Sequence, residues 1–521
     1  MEKNWLAHYP KHVPHEINPD VYRSINHMFD ETLKISALRP AASCLGVTIN
    51  YKELHHKSMQ FASFLQNKLG MKKGNRIAIM MPNVIQFLIA MYGALRAGLT
   101  VVNVNPLYTE RELEYQLCDA QVDTIVVLES FAHTVELTHK KYPLKNIIIT
   151  KIGDMHPRAK GTLMNIAMKR LKKAIKPYKL PKAMSFRKAL RQGARLPFAP
   201  VEVMGDDLAF LQYTGGTTGV SKGAMLSHRN MVANVEQAYT WISSHFQLQH
   251  DRALVVLPLY HVFSLLANAL IFLRMGSECV LVPNARDINS VVEAFKTHRC
   301  TTLMGVNTLF NALLAKESFR ACDFSELKII IAGGMALQEA VAKKWHKLTG
   351  APIVEGFGLT EMSPITCINP LEMDEFNGAI GLPVSSTEAK IVNDAGEELP
   401  MGEAGELCFR GPQVMQGYWR KEDETDKVML PEGWLRTGDI ATMDEKGYVF
   451  IVDRKKDMID VAGYNVYPNE VEDVLMHHPA VKEVAVVGIP NRVTGEMVKA
   501  FVVTDEAELN KADLVAFCKE N

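Results

Sequence analysis

The sequence has no Cys-x-x-Cys pair, because its eight cysteines stand apart at positions 44, 118, 279, 300, 322, 367, 408 and 518. This spacing offers neither a zinc site nor a disulfide framework, and it is typical of a reducing compartment. The chain also has no excess of either charge, with 58 Lys and Arg residues against 58 Asp and Glu residues. A balanced charge argues against a general nucleic-acid-binding protein. We therefore expect a cytoplasmic protein with no nucleic-acid partner.

Long apolar runs are scarce as well. The strongest candidate, 253–272, approaches the roughly 20 residues of a transmembrane helix, but Pro258, His261 and Asn268 interrupt it. A histidine and an asparagine would be costly in lipid. We therefore predict a strand, a turn and a buried helix from about Phe263, with a membrane span as the alternative. The N-terminal residues lack an apolar core, so we expect no signal peptide.

What the chain does contain is a loop rich in glycine and hydroxyl groups. Residues 213–223 include four glycines, three threonines, one serine and one lysine. Glycine lets backbone N–H groups approach an anion closely, the hydroxyls donate hydrogen bonds, and Lys222 adds a positive charge. The pattern predicts a strand over 208–212 before the loop and a helix from Ser227 after it. This composition indicates a polyphosphate site.

Two common nucleotide-binding motifs are absent. A P-loop ends in Gly-Lys-Ser/Thr at a helix N-terminus, whereas Lys222 lies between Ser221 and Gly223. The early turns contain no G-x-G-x-x-G, so a dinucleotide fold is unsupported. The alternative for 213–223 is a surface linker, although a linker would not normally carry a threonine pair and a lysine between a strand and a helix.

The length of 521 residues predicts two or more domains, and a hydrophobic content of 47% is typical of globular proteins. Strands are predicted at 77–81, 100–104, 124–128 and 329–332, and helices from an N-cap at Asn83 to Gly98 and at about 110–120. Strands that alternate with helices predict an α/β fold with a parallel or mixed sheet. Short strands and turns over 378–453 predict a small β subdomain.

Residues 151–195 differ in composition, with fourteen Lys and Arg residues and one acid, Asp154. Apolar residues recur there at helical spacing, at Leu163, Ile166, Ala167, Leu171 and Ile175. A basic amphipathic helix is typical of proteins that bind an anionic membrane surface, here the inner face of the cell membrane. The alternatives are a solvated insertion and an internal acidic docking partner.

The loop at 213–223 closely resembles the phosphate loop of the acyl-adenylate-forming superfamily, which includes acyl-CoA synthetases, luciferases and the adenylation domains of peptide synthetases. That family usually has Ser in place of Gly215 and Pro in place of Ser221. Two further motifs of the superfamily follow in order, Gly-Phe-Gly-Leu-Thr-Glu at 356–361 and Gly-Trp-Leu-Arg-Thr-Gly-Asp at 433–439.

Within the superfamily the chain looks most similar to the bacterial long-chain fatty-acid–CoA ligases. The stretches that carry this similarity are Asn4–Leu6, 305–313 and 461–468. The resemblance implies a large N-terminal adenylate-forming domain over 1–453, with the β subdomain at about 378–453. It also implies a hinge at 454–457 and a small α+β lid over 458–521.

The resemblance implies roles for individual residues. The phosphate loop would contact ATP through Thr214, Gly215, Gly216, Thr217, Thr218, Gly219 and Lys222. Further contacts to ATP or AMP, including those to adenine and ribose, would come from Gly334, Met335, Glu355, Gly356, Phe357, Gly358, Thr360, Asp439 and Arg454. Glu361 and Thr217 would hold Mg²⁺, for which a carboxylate is a suitable ligand. The catalytic residues would be Thr217, Lys222, Glu361 and Lys456, about which the lid turns.

The acyl and CoA sites also follow from the resemblance. An apolar tunnel would begin at His261, Val262, Phe263, Leu265 and Leu266, although core packing explains these residues nearly as well. Gly463 and Tyr464 would face CoA. The family's lid carries a further lysine near its C-terminus, and this sequence stops at Asn521 before that motif. Either the chain is truncated or its tail is missing. Because the resemblance assigns that lysine to adenylation, we expect this chain to adenylate poorly but still to bind ATP.

The implied reaction is the ATP-dependent activation of a long-chain fatty acid to an acyl-adenylate, followed by transfer to CoA with release of AMP. One alternative is a fatty acyl-AMP ligase or a ligase for another carboxylate. A second is a nucleotide-binding membrane-surface protein without catalysis. The acyl-chain length and the oligomeric state do not follow from the sequence, and a homodimer is one alternative.

Overall fold

The computed structural model describes residues 3–171, 174–214, 221–246, 250–461, 464–491, 495–504 and 509–520. Two large sheets with helices, a small antiparallel sheet and a C-terminal α+β unit make up this part of the chain. The predicted α/β class is therefore confirmed. The α-helices are Ile25–Ser36, Tyr51–Asn67, Ile85–Arg96, Glu110–Asp119, Ala132–Lys141, Arg158–Ile166, Phe186–Gly193, His228–Ile242, Val262–Ser264, Ile271–Arg274, Ile288–His298, Asn307–Ala315, Glu317–Arg320, Glu339–Thr349, Glu422–Val428, Pro468–Met476 and Lys511–Glu520.

The first sheet has seven strands, and all but the last of them run parallel. Their spatial order is Met184–Ser185, Asn146–Thr150, Thr124–Leu128, Arg76–Met80, Thr100–Asn103, Leu208–Thr214 and Lys222–Ser227. Every residue of Thr124–Leu128 is buried. An uninterrupted apolar run of this kind is typical of a parallel strand that is covered on both faces.

The second sheet has nine strands, and its central pairs are parallel. Their spatial order is Leu382–Pro383, Ile365–Ile368, Val354–Gly358, Ile329–Ala332, Thr302–Gly305, Arg252–Val255, Glu278–Leu281, Pro40–Cys44 and Val47–Asn50. The helix Ile85–Arg96 is buried along its whole length because it contacts strands of both sheets. The two sheets thus share one continuous core.

Asn83 joins the two sheets and does not cap a helix as predicted. The N-cap of Ile85–Arg96 is Val84, which makes no side-chain capping bond. The Asn83 amide instead donates to the carbonyls of Val255 and Leu257 at 3.0 and 2.9 Å, and its oxygen accepts from the Leu259 N–H at 2.8 Å. A buried asparagine with several tertiary partners stabilises the fold more than a cap on an already buried helix would.

A strand that the sequence pattern did not predict lies between the glycine-rich loop and the next helix. Lys222–Ser227 pairs antiparallel with Leu208–Thr214, and Thr214 faces Lys222 in the register. The helix begins at His228, one residue after its N-cap Ser227. The glycine and lysine at the start of this strand obscure its period-two pattern. The loop is therefore the end of a β-hairpin.

The third sheet and the C-terminal unit are both antiparallel. The third sheet consists of Glu388–Val392, Gly405–Arg410, Met429–Leu430, Trp434–Met443 and Val449–Arg454. The C-terminal sheet consists of Ile459–Val461, Tyr464–Val466, Glu483–Asn491 and Gly495–Val503. The helices Pro468–Met476 and Lys511–Glu520 accompany it, and Pro468 lies in the first turn of its helix. The segment 455–458 connects the two units.

The segment 253–272 forms the strand Arg252–Val255, a turn, and the helix Val262–Ser264, which continues through a π-helical stretch, Leu265–Leu270, into Ile271–Arg274. In the described parts of the chain, no helix has the length and apolar character needed to cross a membrane. The basic helix spans Arg158–Ile166, with a π-helical end at Ala167–Leu171. The predicted helical spacing of apolar residues is wrong for the last of them, because Ile175 lies beyond this helix.

Candidate active site

A cavity of about 640 Å³ opens at the carboxyl ends of strands from both large sheets. Tyr213 and Thr214 reach it from the first sheet, and 356–361 reaches it from the second. The third sheet and the following segment close its other side with residues 435–439 and 454–456. Ligands of α/β proteins bind at this edge of parallel sheets. The structure therefore brings three of the predicted motifs to one cavity.

The phosphate side of the cavity is built on the β-hairpin. Gly215, Gly216, Thr217, Thr218 and Gly219 lie outside the described residues, but Thr214 and Lys222 on either side line the cavity. The Ser221 hydroxyl donates to the Thr214 carbonyl, and the Tyr115 hydroxyl donates to the Ser221 carbonyl at 2.9 Å. Both ends of the predicted phosphate loop are thus tied to strands at the cavity wall.

Lys222 lies in a set of charged and aromatic contacts that the sequence did not indicate. Its Nζ forms an ion pair with Glu424 and lies 5.2 Å from the centre of the Tyr418 ring. The Tyr418 hydroxyl donates to Oε1 of Glu361 at 2.6 Å. The predicted phosphate lysine and the predicted metal carboxylate therefore share Tyr418 as a neighbour. The Gly-Tyr-Trp stretch at 417–419 was the only local signal for this tyrosine.

Glu361 is oriented by its backbone as well as by Tyr418. It lies in the 3₁₀ turn Thr360–Met362, and its carbonyl accepts from the Met415 N–H at 2.8 Å. Mg²⁺ prefers one or two carboxylates together with phosphate oxygens and water. A single oriented carboxylate on the phosphate side of the cavity fits that preference. Among the described residues, no group of three or more His, Cys, Asp or Glu residues forms a metal cluster.

Asp439 presents a buried acceptor to the cavity. The residue is 5% exposed, and its Oδ2 has no hydrogen-bond partner in the described structure. Burial raises the pKa of this carboxyl to about 6, although Arg454, whose Nε lies 3.5 Å from Oδ1, acts in the opposite direction. An unsatisfied buried acceptor is costly. The hydroxyls of a ribose would satisfy it.

Phe357 and the glycines beside it form the wall next to Asp439. A Cβ atom on Gly358 would lie 2.3 Å from the Pro364 carbonyl oxygen, so a side chain cannot be accommodated there. The Phe357 ring lies 6.4 Å from the Phe409 ring with an interplanar angle of 34°. A base stacked on an aromatic ring gains about 1–3 kcal/mol. This wall is suitable for a planar base.

We call the apolar part of the cavity lining the apolar arm, and two helices contribute side chains to it. The helix that begins at Val262 contributes Val262, Phe263, Ala267 and Ile271 to it, and the helix His228–Ile242 contributes Ala238 and Ile242. Met304, Ile331, Ile365 and Ile368 complete the lining. Leu265 and Leu266, predicted for the tunnel, are fully buried and lie outside this lining. The π-helical stretch Leu265–Leu270 turns them into the core.

His261 lines the same cavity as the apolar arm and the charged residues. Its Nδ1 accepts from the Phe263 N–H at 3.4 Å. Desolvation of the ring by the surrounding protein lowers the pKa of the imidazole. With Nδ1 as an acceptor, the neutral ring carries its proton on Nε2, which can donate one hydrogen bond without adding charge.

Two other predicted nucleotide residues lie away from the cavity lining. Met335 is 47% exposed, and Glu355 lines a separate small depression. The Glu355 carboxylate accepts from the Leu337 N–H at 3.0 Å, and burial raises its pKa to about 7. Gly463 and the side chain of Tyr464 lie outside the described structure. Their predicted CoA contacts stay predictions.

The fold and the cavity together define an α/β protein whose cavity lining is suitable for a nucleotide and an apolar group. The family model for the AMP-binding enzyme matches residues 29–419, and the model for the AMP-binding enzyme C-terminal domain matches 470–521. The chain belongs to the AMP-binding enzyme family.

Curated relatives carry the comparison over the full length. The chain is 50% identical over 519 residues to the long-chain-fatty-acid–CoA ligase of Escherichia coli O6:H1, covering 100% of this chain and 92% of the relative. It is 38% identical over 522 residues to the long-chain-fatty-acid–CoA ligase of Bacillus subtilis (strain 168), covering 99% and 92%. The structure of ATP-bound MatB from Rhodopseudomonas palustris is 27% identical with a TM-score of 0.78, covering 96% and 92%.

We expect Asp439→Asn to raise the stability of the nucleotide-free protein and to weaken ATP binding. The pKa of the Asp439 carboxyl is about 6 in the folded protein and 3.8 ordinarily. The wild-type protein therefore loses the stability that the protonated carboxyl contributes as the pH rises from 3.8 through 6. Above pH 6 the variant should be more stable than the wild type by up to about 3 kcal/mol, and this difference in stability should narrow as the pH falls below 6. Loss of the predicted ribose contact should weaken ATP binding roughly tenfold to a hundredfold.

Thermal unfolding across pH and calorimetric titration with ATP measure these two effects. Asp426→Asn is the control, because Asp426 is exposed in the nearby helix Glu422–Val428. A stability gap that does not depend on pH would contradict the role of ionisation, and unchanged ATP affinity would contradict the ribose assignment.

Proposed function

We propose that this protein is an AMP-forming long-chain fatty-acid–CoA ligase. It converts a fatty acid and ATP to an acyl-adenylate and pyrophosphate, and then transfers the acyl group to CoA with release of AMP. The observation that carries this proposal is that the apolar arm, His261 and the predicted phosphate and ribose residues line one and the same cavity. Relatives with this activity in their names match the chain over its full length.

The first step needs no nucleophile from the protein. A carboxylate oxygen of the fatty acid attacks the α-phosphorus of ATP, and the bond to the bridging oxygen of pyrophosphate breaks. The protein positions the two anions and offsets their charge. We assign Lys222 to the phosphates, Asp439 and Arg454 to the ribose, and Phe357 to the base, with Thr217 and Thr218 as further phosphate ligands.

The reaction requires cations that offset negative charge, because a triphosphate and a carboxylate repel each other. Glu361 would hold Mg²⁺, with Thr217 as a second ligand, and the ion would neutralise phosphate charge. The Tyr418 hydroxyl holds Glu361 in place for this role. His261, as a neutral ring at the start of the apolar arm, can orient the fatty carboxylate.

The second step uses a rearrangement of the C-terminal unit. We infer that 454–457 is a hinge between an N-terminal domain, 1–453, and a lid, 458–521. Lys456 lines the cavity, while Nζ of its neighbour Lys455 contacts Asp394 at 2.7 Å and Glu406 at 3.2 Å. Turning about Lys456 would bring Gly463 and Tyr464 towards CoA, whose thiolate attacks the acyl carbonyl and displaces AMP. Lid motion between the half-reactions also excludes water from the adenylate.

Oleate-dependent formation of AMP tests the proposed function. With ATP, Mg²⁺ and CoA present, we expect AMP, pyrophosphate and oleoyl-CoA in equal amounts. Glu361→Gln should reduce the rate at least about a hundredfold through loss of charge stabilisation. The exposed Glu403→Gln is the matched control and should leave the rate unchanged.

The alternatives predict other outcomes of the same assay. Stable acyl-AMP that CoA does not consume would indicate a fatty acyl-AMP ligase. Turnover with short or aromatic acids alone would indicate another carboxylate substrate. ATP binding without any fatty-acid-dependent turnover would favour a nucleotide-binding protein without catalysis.

The width of the apolar arm should set the preferred chain length. Ala267 and Ala238 lie on the two helices that line the arm, and both are small and buried. We expect Ala267→Leu to lower kcat/KM for palmitate at least about tenfold, since each buried CH₂ contributes roughly 0.8 kcal/mol. Octanoate should retain its activity, and this internal control also reports on folding. Equal losses for both acids would contradict the assignment of the arm.

We propose further that the basic segment contacts an anionic membrane on the cytoplasmic side. The helix Arg158–Ile166 is held firmly, because Gly153 and Gly161 pack so closely that added Cβ atoms would lie 2.3 and 2.2 Å from the opposite carbonyl oxygen. Arg187 donates to the carbonyls of Asp154 and Gly153 at 2.6 and 3.0 Å. These contacts favour a fixed surface over a solvated insertion.

This helix exposes apolar side chains among its basic ones. Leu163 is 68% exposed and Ile166 is 46% exposed. We expect the protein to co-sediment with phosphatidylglycerol vesicles at low salt and to be released at high salt, because each basic residue contributes about 1 kcal/mol at best. The double variant Leu163→Ser, Ile166→Ser should bind less. Leu38→Ser, at a leucine that is 81% exposed outside this segment, is the control. Binding that high salt does not affect would contradict this proposal.

A further inference from the structure

Glu424 neutralises the lysine to which the proposed function assigns the phosphates. It lies in the helix Glu422–Val428 and forms an ion pair with Nζ of Lys222. The Lys222 side chain is 18% exposed and that of Glu424 is 30% exposed, so water screens the pair only in part. The positive charge beside the predicted phosphate loop is therefore already paired with an internal anion.

The remaining contacts of the two residues define a site for one anion. Lys222 is confined by the Tyr418 ring, 5.2 Å away, and the Tyr418 hydroxyl is bonded to Glu361. A triphosphate that reaches Lys222 would meet the Glu424 carboxylate at the same ammonium group. Two anions bound to one ammonium group lie close together and repel each other. The carboxylate and the phosphate therefore compete for Lys222.

Glu424 also has a second cationic neighbour that can hold it when it leaves Lys222. Nζ of Lys427 lies 2.5 Å from Oε1 of Glu424, and Lys427 lines the cavity. The ion pair with Lys222 and the contact with Lys427 lower the pKa of Glu424 to about 2. Glu424 is therefore a carboxylate at any pH near neutrality, and protonation does not release Lys222.

We propose that Glu424 is a positioning residue that takes the place of a nucleotide phosphate on Lys222 whenever the site holds no nucleotide. ATP must displace it, which weakens ATP binding. After adenylation the carboxylate returns to Lys222 and assists the release of pyrophosphate. The competition for Lys222 rests on the proposed function only in assigning the phosphates to Lys222, whereas the assisted release of pyrophosphate rests on the proposed adenylation as well.

The variant Glu424→Gln tests this inference, since it keeps the size of the side chain and removes its charge. We expect the KM for ATP to fall roughly threefold to tenfold and inhibition by added pyrophosphate to tighten by a similar factor. The kcat should not rise, because pyrophosphate leaves more slowly. Glu422→Gln changes an exposed residue of the same helix and should leave each of these parameters unchanged.

Calorimetric titration with ATP separates the competition from a structural effect. If Glu424 acts through Lys222, Glu424→Gln should not alter ATP affinity in a Lys222→Met background. An unchanged or higher KM in Glu424→Gln, or an equal gain in affinity without Lys222, would overturn the inference. Tighter ATP binding by Glu424→Gln in a protein that forms no acyl-CoA would support it while refuting the proposed ligase activity.

Discussion

The contact between Lys222 and Tyr418, with Glu361 bonded to the same tyrosine, is the interaction on which the site depends. Lys222 comes from a hairpin of the first sheet, Glu361 follows a strand of the second, and Tyr418 lies just before the helix Glu422–Val428. Three separate units of the fold must be in place before these groups meet. Correct packing of the sheets and the assembly of the charged site are therefore the same event.

Asp439 carries an electrostatic cost that the hydroxyls of a nucleotide would remove. Burial raises the pKa of Asp439 to about 6, and one of its oxygens has no partner in the described structure. Stability and ligand binding are opposed at such positions, because a group kept ready for a ligand is not fully satisfied without it. Lys222 is treated differently, since Glu424 already satisfies its charge. The nucleotide would therefore relieve a cost at Asp439 and compete with an existing contact at Lys222.

Much of this arrangement could be predicted where local pattern and function coincide. Thr124–Leu128 and Ile329–Ala332 are strands at the predicted residues, because buried parallel strands are continuous apolar runs. The motifs at 356–361 and 433–439 reach the cavity as expected. Two of the misses depend on tertiary contact. Asn83 bonds to the second sheet, and the strand Lys222–Ser227 forms only against its partner.

Glu424 shows why charged contacts in a site are the hardest to predict. Nothing in its local sequence distinguishes it from Glu422, two residues earlier in the same helix, yet Glu422 is exposed and Glu424 holds Lys222. The side chains of the two residues point in different directions from the helix. Only the position of the hairpin decides that Glu424 meets Lys222 and Glu422 does not. A lysine in a partly buried cavity requires a counter-charge when no phosphate is bound to it. A carboxylate on a neighbouring helix can supply it and still be displaced, which a more deeply buried ion pair would not allow.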